Sequence, residues 1–166
     1  MYVSAFDSPF GHLTLTATET ALTGLWLAGQ RYAPACPEGI VHPDHIVFQQ
    51  TRRWLEAYAA RSPLPPLPRL APSGTAFQQA VWRHLLNIPY GETTTYGAIA
   101  AALRAEGQTA SAQAVGGAVG RNPILILIPC HRVVGANGSL TGYAGGLELK
   151  RQLLSIECNG NSPYTN

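Results

Sequence analysis

The segment "SPLPPLPRLAPSG", residues 62–74, carries five prolines in thirteen positions. Proline fixes φ and has no backbone N–H, so this stretch is barred from helix interiors and central strands and is held to an extended, polyproline-like path. Regular structure must therefore assemble on either side of it. The expected division is an N-terminal sheet-and-helix domain over residues 1–70 and a mainly helical domain over residues 71–166. With 166 residues and 46% hydrophobic side chains, the chain has enough apolar material for two small cores.

On the N-terminal side, "YVSAF", "HLTLTAT" and "LTGLWL" alternate apolar and polar residues around the turn "DSPFG", which predicts an antiparallel meander. Residues 45–60 space Ile46, Phe48, Trp54, Leu55 and Tyr58 so that most of them share one helical face, giving a helix to cover that sheet. Beyond the prolines, "TAFQQAVWRHLLNI" offers Thr75 as N-cap, Phe77, Val81, Leu85 and Ile88 as a buried stripe, and a stop at Pro89 and Gly91. Two short helices follow, one starting near the threonines of "GETTTYGAIAAAL" and one over "SAQAVGGAVG", residues 111–120. Their spacing suggests a helix-turn-helix. The apolar run at 124–128 reads as a buried strand, and "LELKRQLLSIE" as an amphipathic closing helix. The fold class is α+β.

A formal charge of only +2 means that any contact with nucleic acid must use a local basic surface, even though ten of the eleven cations are arginine. Cysteines at 36, 130 and 158 make an odd number without CxxC spacing, which argues against a disulfide framework and for a reducing, cytoplasmic setting. The N-terminus lacks the pattern of a secretory signal, and the longest apolar run is too short to span a bilayer, so no membrane partner is expected. Cys36, His42 and His45 gather in "CPEGIVHPDH", but at irregular spacing, and no metal or other cofactor is expected. The final "CNGNSPYTN" is polar and expected to be mobile.

The chemistry concentrates in "ILILIPCHRVVG", residues 124–135. A free thiol titrates near about 8.5, and neighbouring cationic or proton-accepting groups enlarge its thiolate fraction. Consecutive side chains of an extended chain point to opposite faces, so Cys130 and His131 can cooperate only across a turn or through a bridging water. Glu157, ending "LLSIE", is the acid available to orient the second imidazole nitrogen. Arg132 is open to two roles, a phosphate contact or an ion pair. A Cys-His hydrolase would need an oxyanion hole that the sequence does not place, and a module that only marks lesions in DNA would need no thiol. The helix at 111–120 is poor by propensity, since each glycine costs about 1 kcal/mol relative to alanine. Small residues there suit either close internal packing or approach to a minor groove about 6 Å wide.

"NPILILIPCHRVVG", preceded by "IPYGETTTYGAIA" and "AVGGAVGRNP" and followed by "GSLTGYAGGLELKRQLLSIE", closely resembles the O6-alkylguanine-DNA alkyltransferases, over about residues 73–157. The N-terminal part resembles in outline the small ribonuclease H-like domain of that family, and the C-terminal part its winged-helix/helix-turn-helix domain. The resemblance implies direct-reversal repair: the alkyl group of O6-alkylguanine, with O4-alkylthymine as a further candidate, passes irreversibly to Cys130 and the protein is consumed once per lesion. It implies a flipped target base. His131 is then the base for Cys130 through a water, Glu157 its orienter, Asn122 the helix-ending residue that links the binding helix to the reactive site, and Tyr96 the hydrogen-bond donor to the departing guanine. Tyr143 and Gly145 become pocket-wall residues. Ser111, Ala112, Gln113, Ala114, Gly116 and Gly117 become the DNA-facing set, to which the phosphate-contact reading of Arg132 would add that residue. Family members commonly carry an arginine where this chain has Gln113, which predicts weaker, less salt-sensitive DNA binding. The expected partner is double-stranded DNA carrying O6-alkylguanine, met by a monomer with scope for cooperative binding along the duplex.

Overall fold

The computed structural model describes residues 1–158. The rest of the polar tail, for which mobility is expected from sequence, lies outside the described residues. Two compact units are present: Met1–Ser73 together with Pro123–Leu127, and Gly74–Asn122 together with the described residues from Ile128 onward.

In the first unit, strands β1 (Tyr2–Ser8), β2 (Gly11–Ala17) and β3 (Leu22–Leu27) form the expected meander, and the two-residue β4 (Ile40–Val41) adds parallel to β1, giving the order β3-β2-β1-β4. Alternation in β2 sends Leu13 and Leu15 into the core with no exposed surface. Helix α1 (Ile46–Ala59) packs on β1 and β2 through Val47, Phe48, Thr51, Trp54, Leu55 and Tyr58. Ile46 is the member of the expected set left off that face, 54% exposed, because it is the first helical residue and the stripe begins one position later. His45 caps the helix through Nδ1, which accepts from the Val47 N–H.

The proline segment ends as an extended stretch pairing with β3: Leu22 N–H donates to Arg69 O, and Ala71 N–H to Leu22 O. Farther along the same strand, Leu25 N–H donates to Pro123 O, and Leu125 N–H to Leu25 O. The expected strand at 124–128 is reduced to this single bridge. After Leu125 the chain turns, with Ile126 at φ +72 and Leu127 N–H donating to Leu125 O two residues back. A β-branched residue at positive φ is costly, of order 1–3 kcal/mol. The run is apolar because it is buried, not because it is a strand.

In the second unit, α2 (Ala76–Leu86) starts with a full capping box between Thr75 and Gln78. Thr95 caps α3 (Tyr96–Ala105) by accepting from Ala98 N–H, and Ser111 caps α4 (Ala112–Gly120) by accepting from Ala114 N–H. Arg104 donates to Ala110 O across the connection between α3 and α4, and Gly107 at φ +84 turns the chain there. Trp82 of α2, fully inside the unit, fixes α4 by donating its indole N–H to Ala118 O at 2.9 Å. Val115, Ala118 and Val119 face inward, whereas Gln113, Ala114 and Gly117 face outward. Strands β5 (Thr94–Thr95) and β6 (Val133–Val134) pair in parallel, and α5 (Leu147–Glu157) closes the unit.

Candidate active site

Pro129 has φ −81 and ψ 62, a tight-turn conformation in which Cys130 N–H reaches back to Ile128 O at 2.8 Å. Cys130–Arg132 then form one 3-10 turn, which is the turn that adjacency of Cys130 and His131 requires. Cys130 is 2% exposed. Its Sγ accepts from Asn122 Nδ2 at 3.2 Å, and the same amide donates to Ile128 O at 2.8 Å. Asn122 thus joins the end of α4 to the thiol. Tyr143, in the loop before α5, also acts on the thiol, lowering its pKa. Burial pushes the Cys130 thiol above its ordinary pKa, while Asn122, the charge of Lys150 and Tyr143 pull it back. The thiolate favoured in the sequence reading is therefore opposed by desolvation, and His131 is not among the groups that counter it.

His131, with no exposed surface, shares a 2.8 Å hydrogen bond between Nε2 and Glu157 Oε1. A carboxylate only accepts, so the imidazole proton belongs on Nε2 and Nδ1 is the basic nitrogen of the neutral ring. Burial lowers the His131 pKa, ahead of the opposing pull of Glu157, and keeps the ring neutral. Burial alone would raise the Glu157 carboxyl, but hydrogen bonds from His131 and Arg132 outweigh it and hold the carboxyl at about 2. With His131 neutral, the permanent charge holding that carboxylate is Arg132.

Sequence left Arg132 between a phosphate contact and an ion pair, and the structure gives it the ion pair. Only 9% exposed, it grips Glu157 through Nε at 2.9 Å to Oε2 and Nη2 at 2.8 Å to Oε1, and its Nη1 donates to Ile88 O. Its guanidinium also lies 5.8 Å from the centre of the Tyr90 ring. A side chain with these donors committed inside the protein is not presented to DNA.

Lys150, the one lysine in the sequence, was missed by sequence reasoning. It has no exposed surface, and Nζ donates to Val133 O at 2.7 Å and Thr141 O at 3.1 Å. Burial lowers its pKa to about 8, against the raising effect of Cys130. A signal existed: Lys150 stands three, four and seven residues before Leu153, Leu154 and Glu157, on the buried stripe of α5. Arg132, Lys150 and Glu157 leave the buried cluster one positive charge in excess, which a thiolate at Cys130 would neutralise.

Tyr96 opens α3, with its hydroxyl accepting from Thr141 Oγ1 at 3.0 Å and its ring beside Gly116, where an added Cβ would sit 3.7 Å away. At Gly117 an added Cβ would meet nothing within 4 Å, so internal packing does not demand a glycine there. Ser111, Ala112, Gln113 and Ala114 are exposed at the start of α4. Gly145 lies half-buried in the loop before α5. Among the described residues, no group of three His, Cys, Asp or Glu side chains is arranged to hold a metal, and no helix is long and apolar enough to cross a membrane.

Residues 1–65 match the ribonuclease-like domain of 6-O-methylguanine DNA methyltransferase, and residues 76–159 match its DNA-binding domain. The methylated-DNA–protein-cysteine methyltransferase of Methanosarcina acetivorans is 44% identical over 157 residues, covering 95% of this chain and 98% of its own. That of Mycobacterium tuberculosis is 45% identical over 157 residues, covering 95% and 92%. A crystal structure of Mycobacterium tuberculosis OGT in complex with DNA superposes with a TM-score of 0.84 at 40% identity, over 99% of this chain and 97% of that one. The chain belongs to the 6-O-methylguanine DNA methyltransferase family.

Proposed function

We propose that the protein repairs O6-alkylguanine in double-stranded DNA by taking the alkyl group onto Cys130, once per molecule. The observation that carries this reading is the buried cluster in which Asn122, Tyr143 and Lys150 favour a thiolate while Glu157 holds a neutral His131 beside it in the chain. His131 takes the thiol proton through a water. Sulfur attacks the alkyl carbon, the S–C bond forms, and the C–O6 bond breaks with its electron pair passing to the purine. Guanine leaves as the keto base after gaining a proton at N1, so the net proton transfer runs from thiol to base. Tyr96 donates a hydrogen bond to the purine as negative charge develops there.

The outward face of α4, from Ser111 to Gly117, meets the minor groove and the target base is flipped toward Cys130. The complex of Mycobacterium tuberculosis OGT with DNA supports that partner, given the shared fold. Tyr143 and Gly145 wall the alkyl pocket. A thiol that must remain reduced until used fits a cytoplasmic location.

The decisive experiment incubates the protein with a duplex containing O6-methylguanine and measures intact mass. One added methyl group, absent in Cys130→Ser, is expected. A chain of unchanged mass would sink the reading.

A further inference from the structure

The loop between β6 and α5 acts on the site through two residues only two positions apart. Tyr143 lowers the pKa of the Cys130 thiol, and Thr141 Oγ1 donates to the Tyr96 hydroxyl at 3.0 Å. One short stretch of chain therefore influences both the nucleophile and the group assigned to the departing base. Thr141 is itself anchored, because its carbonyl accepts from the fully buried Lys150 at 3.1 Å while the same ammonium holds Val133 O at 2.7 Å. Its place is set by a buried charge even though its own side chain is exposed.

The direction of the bond between the two hydroxyls matters. A phenol has one proton and two acceptor sites. With Thr141 donating, the Tyr96 oxygen is occupied as an acceptor and its proton is left to point elsewhere. Hydrogen bonds in series polarise one another, so a phenol that accepts one becomes a better donor of the next. We propose that Thr141 is a positioning residue for alkyl transfer, which orients the Tyr96 hydroxyl and strengthens it as the donor to guanine as the C–O6 bond breaks. This rests on the reading of Tyr96 given above and extends it to a residue of another element. Thr141 forms no bond to substrate and moves no proton.

The test compares wild type with Thr141→Val, Thr141→Ser, Tyr96→Phe and the Thr141→Val/Tyr96→Phe double variant. The readout is the single-turnover rate of methyl uptake from O6-methylguanine duplex at saturating DNA, with DNA affinity measured separately. Labelling of Cys130 by iodoacetamide, read by peptide mass, reports the thiol independently of the leaving group. Thr141→Val is expected to slow transfer roughly fivefold, the equivalent of one neutral hydrogen bond of about 1 kcal/mol. Serine should restore the rate. In the Tyr96→Phe background the valine should have no further effect, and neither affinity nor iodoacetamide labelling should change. A Thr141→Val protein as fast as wild type overturns the proposal while leaving the repair function standing, and so does a slowing that persists undiminished in Tyr96→Phe. Tyr96→Phe as fast as wild type overturns the roles of both residues, and a wild type that takes up no methyl group overturns the function itself.

Discussion

Glu157 accepts hydrogen bonds from His131, from Arg132 and, at 3.4 Å, from Gly91 N–H, all at 4% exposure. Its folded pKa of about 2 lies below the ordinary 4.5, so between these values the unfolded chain binds a proton that the folded chain does not. Stability therefore rises with pH across that window: the contribution, about 3 kcal/mol, is complete above the unfolded value and is lost as pH falls through the folded one. Denaturant melts of wild type and Glu157→Gln from pH 2 to pH 7 should show a steep acid limb only in wild type, and a variant weaker by a few kcal/mol at neutral pH because Arg132 is left buried without its anion. Equal acid limbs would remove Glu157 as the source. The His131–Glu157 pairing was within reach of sequence reasoning, since a histidine beside a candidate nucleophile needs an acid and α5 supplies one. The roles of Arg132 and Lys150 were not settled by local sequence. A cation's partner depends on which elements fold over it, and here the partners lie 25 residues away at Glu157 for Arg132, and at the carbonyls of Val133 and Thr141 for Lys150.

At the scale of elements, α4 is the informative case. Capping by Ser111 and burial of Val115, Ala118 and Val119 specify it against the cost of its glycines. Since a Cβ at Gly117 meets open space, Gly117→Ala should stabilise the protein by up to about 1 kcal/mol in thermal melts. If this face approaches DNA closely, the same change should weaken duplex binding; a variant that is more stable and binds equally well would show that the small residues serve something else. Gln113→Arg should bind more tightly and with a steeper dependence on salt, and a salt titration matching wild type in affinity and slope would overturn that expectation. Helices α1 to α5 were legible because caps and apolar spacing act locally, as Thr75, Thr95 and Ser111 illustrate. The run at 124–128 was not, because a short, buried apolar segment has no periodicity of its own. Only its partner, Leu25, shows that one bridge forms before the turn at Ile126.

For the molecule as a whole, the proline segment divides the sequence, yet the compact units are not contiguous, since residues 123–127 complete the sheet-bearing unit. No pattern in the sequence announces a return of five residues to a distant strand edge. The weak net charge of +2 leaves affinity for DNA to local surfaces. The near-complete burial of Cys130 carries a different consequence, one of shelf life. A protein spent after one reaction is a stock of single doses, and every dose oxidised before it meets DNA is wasted. Peroxide attacks exposed thiolates first, and this chain has an exposed thiol at Cys36 while Cys130 is sealed and biased toward the neutral form. Treated with hydrogen peroxide in the absence of DNA, the protein should show sulfenic acid at Cys36 before Cys130, with its capacity for methyl uptake outlasting its count of free thiols; prior loss at Cys130 would refute this. Desolvation, which works against the chemistry, is then also what keeps the dose intact until a lesion arrives.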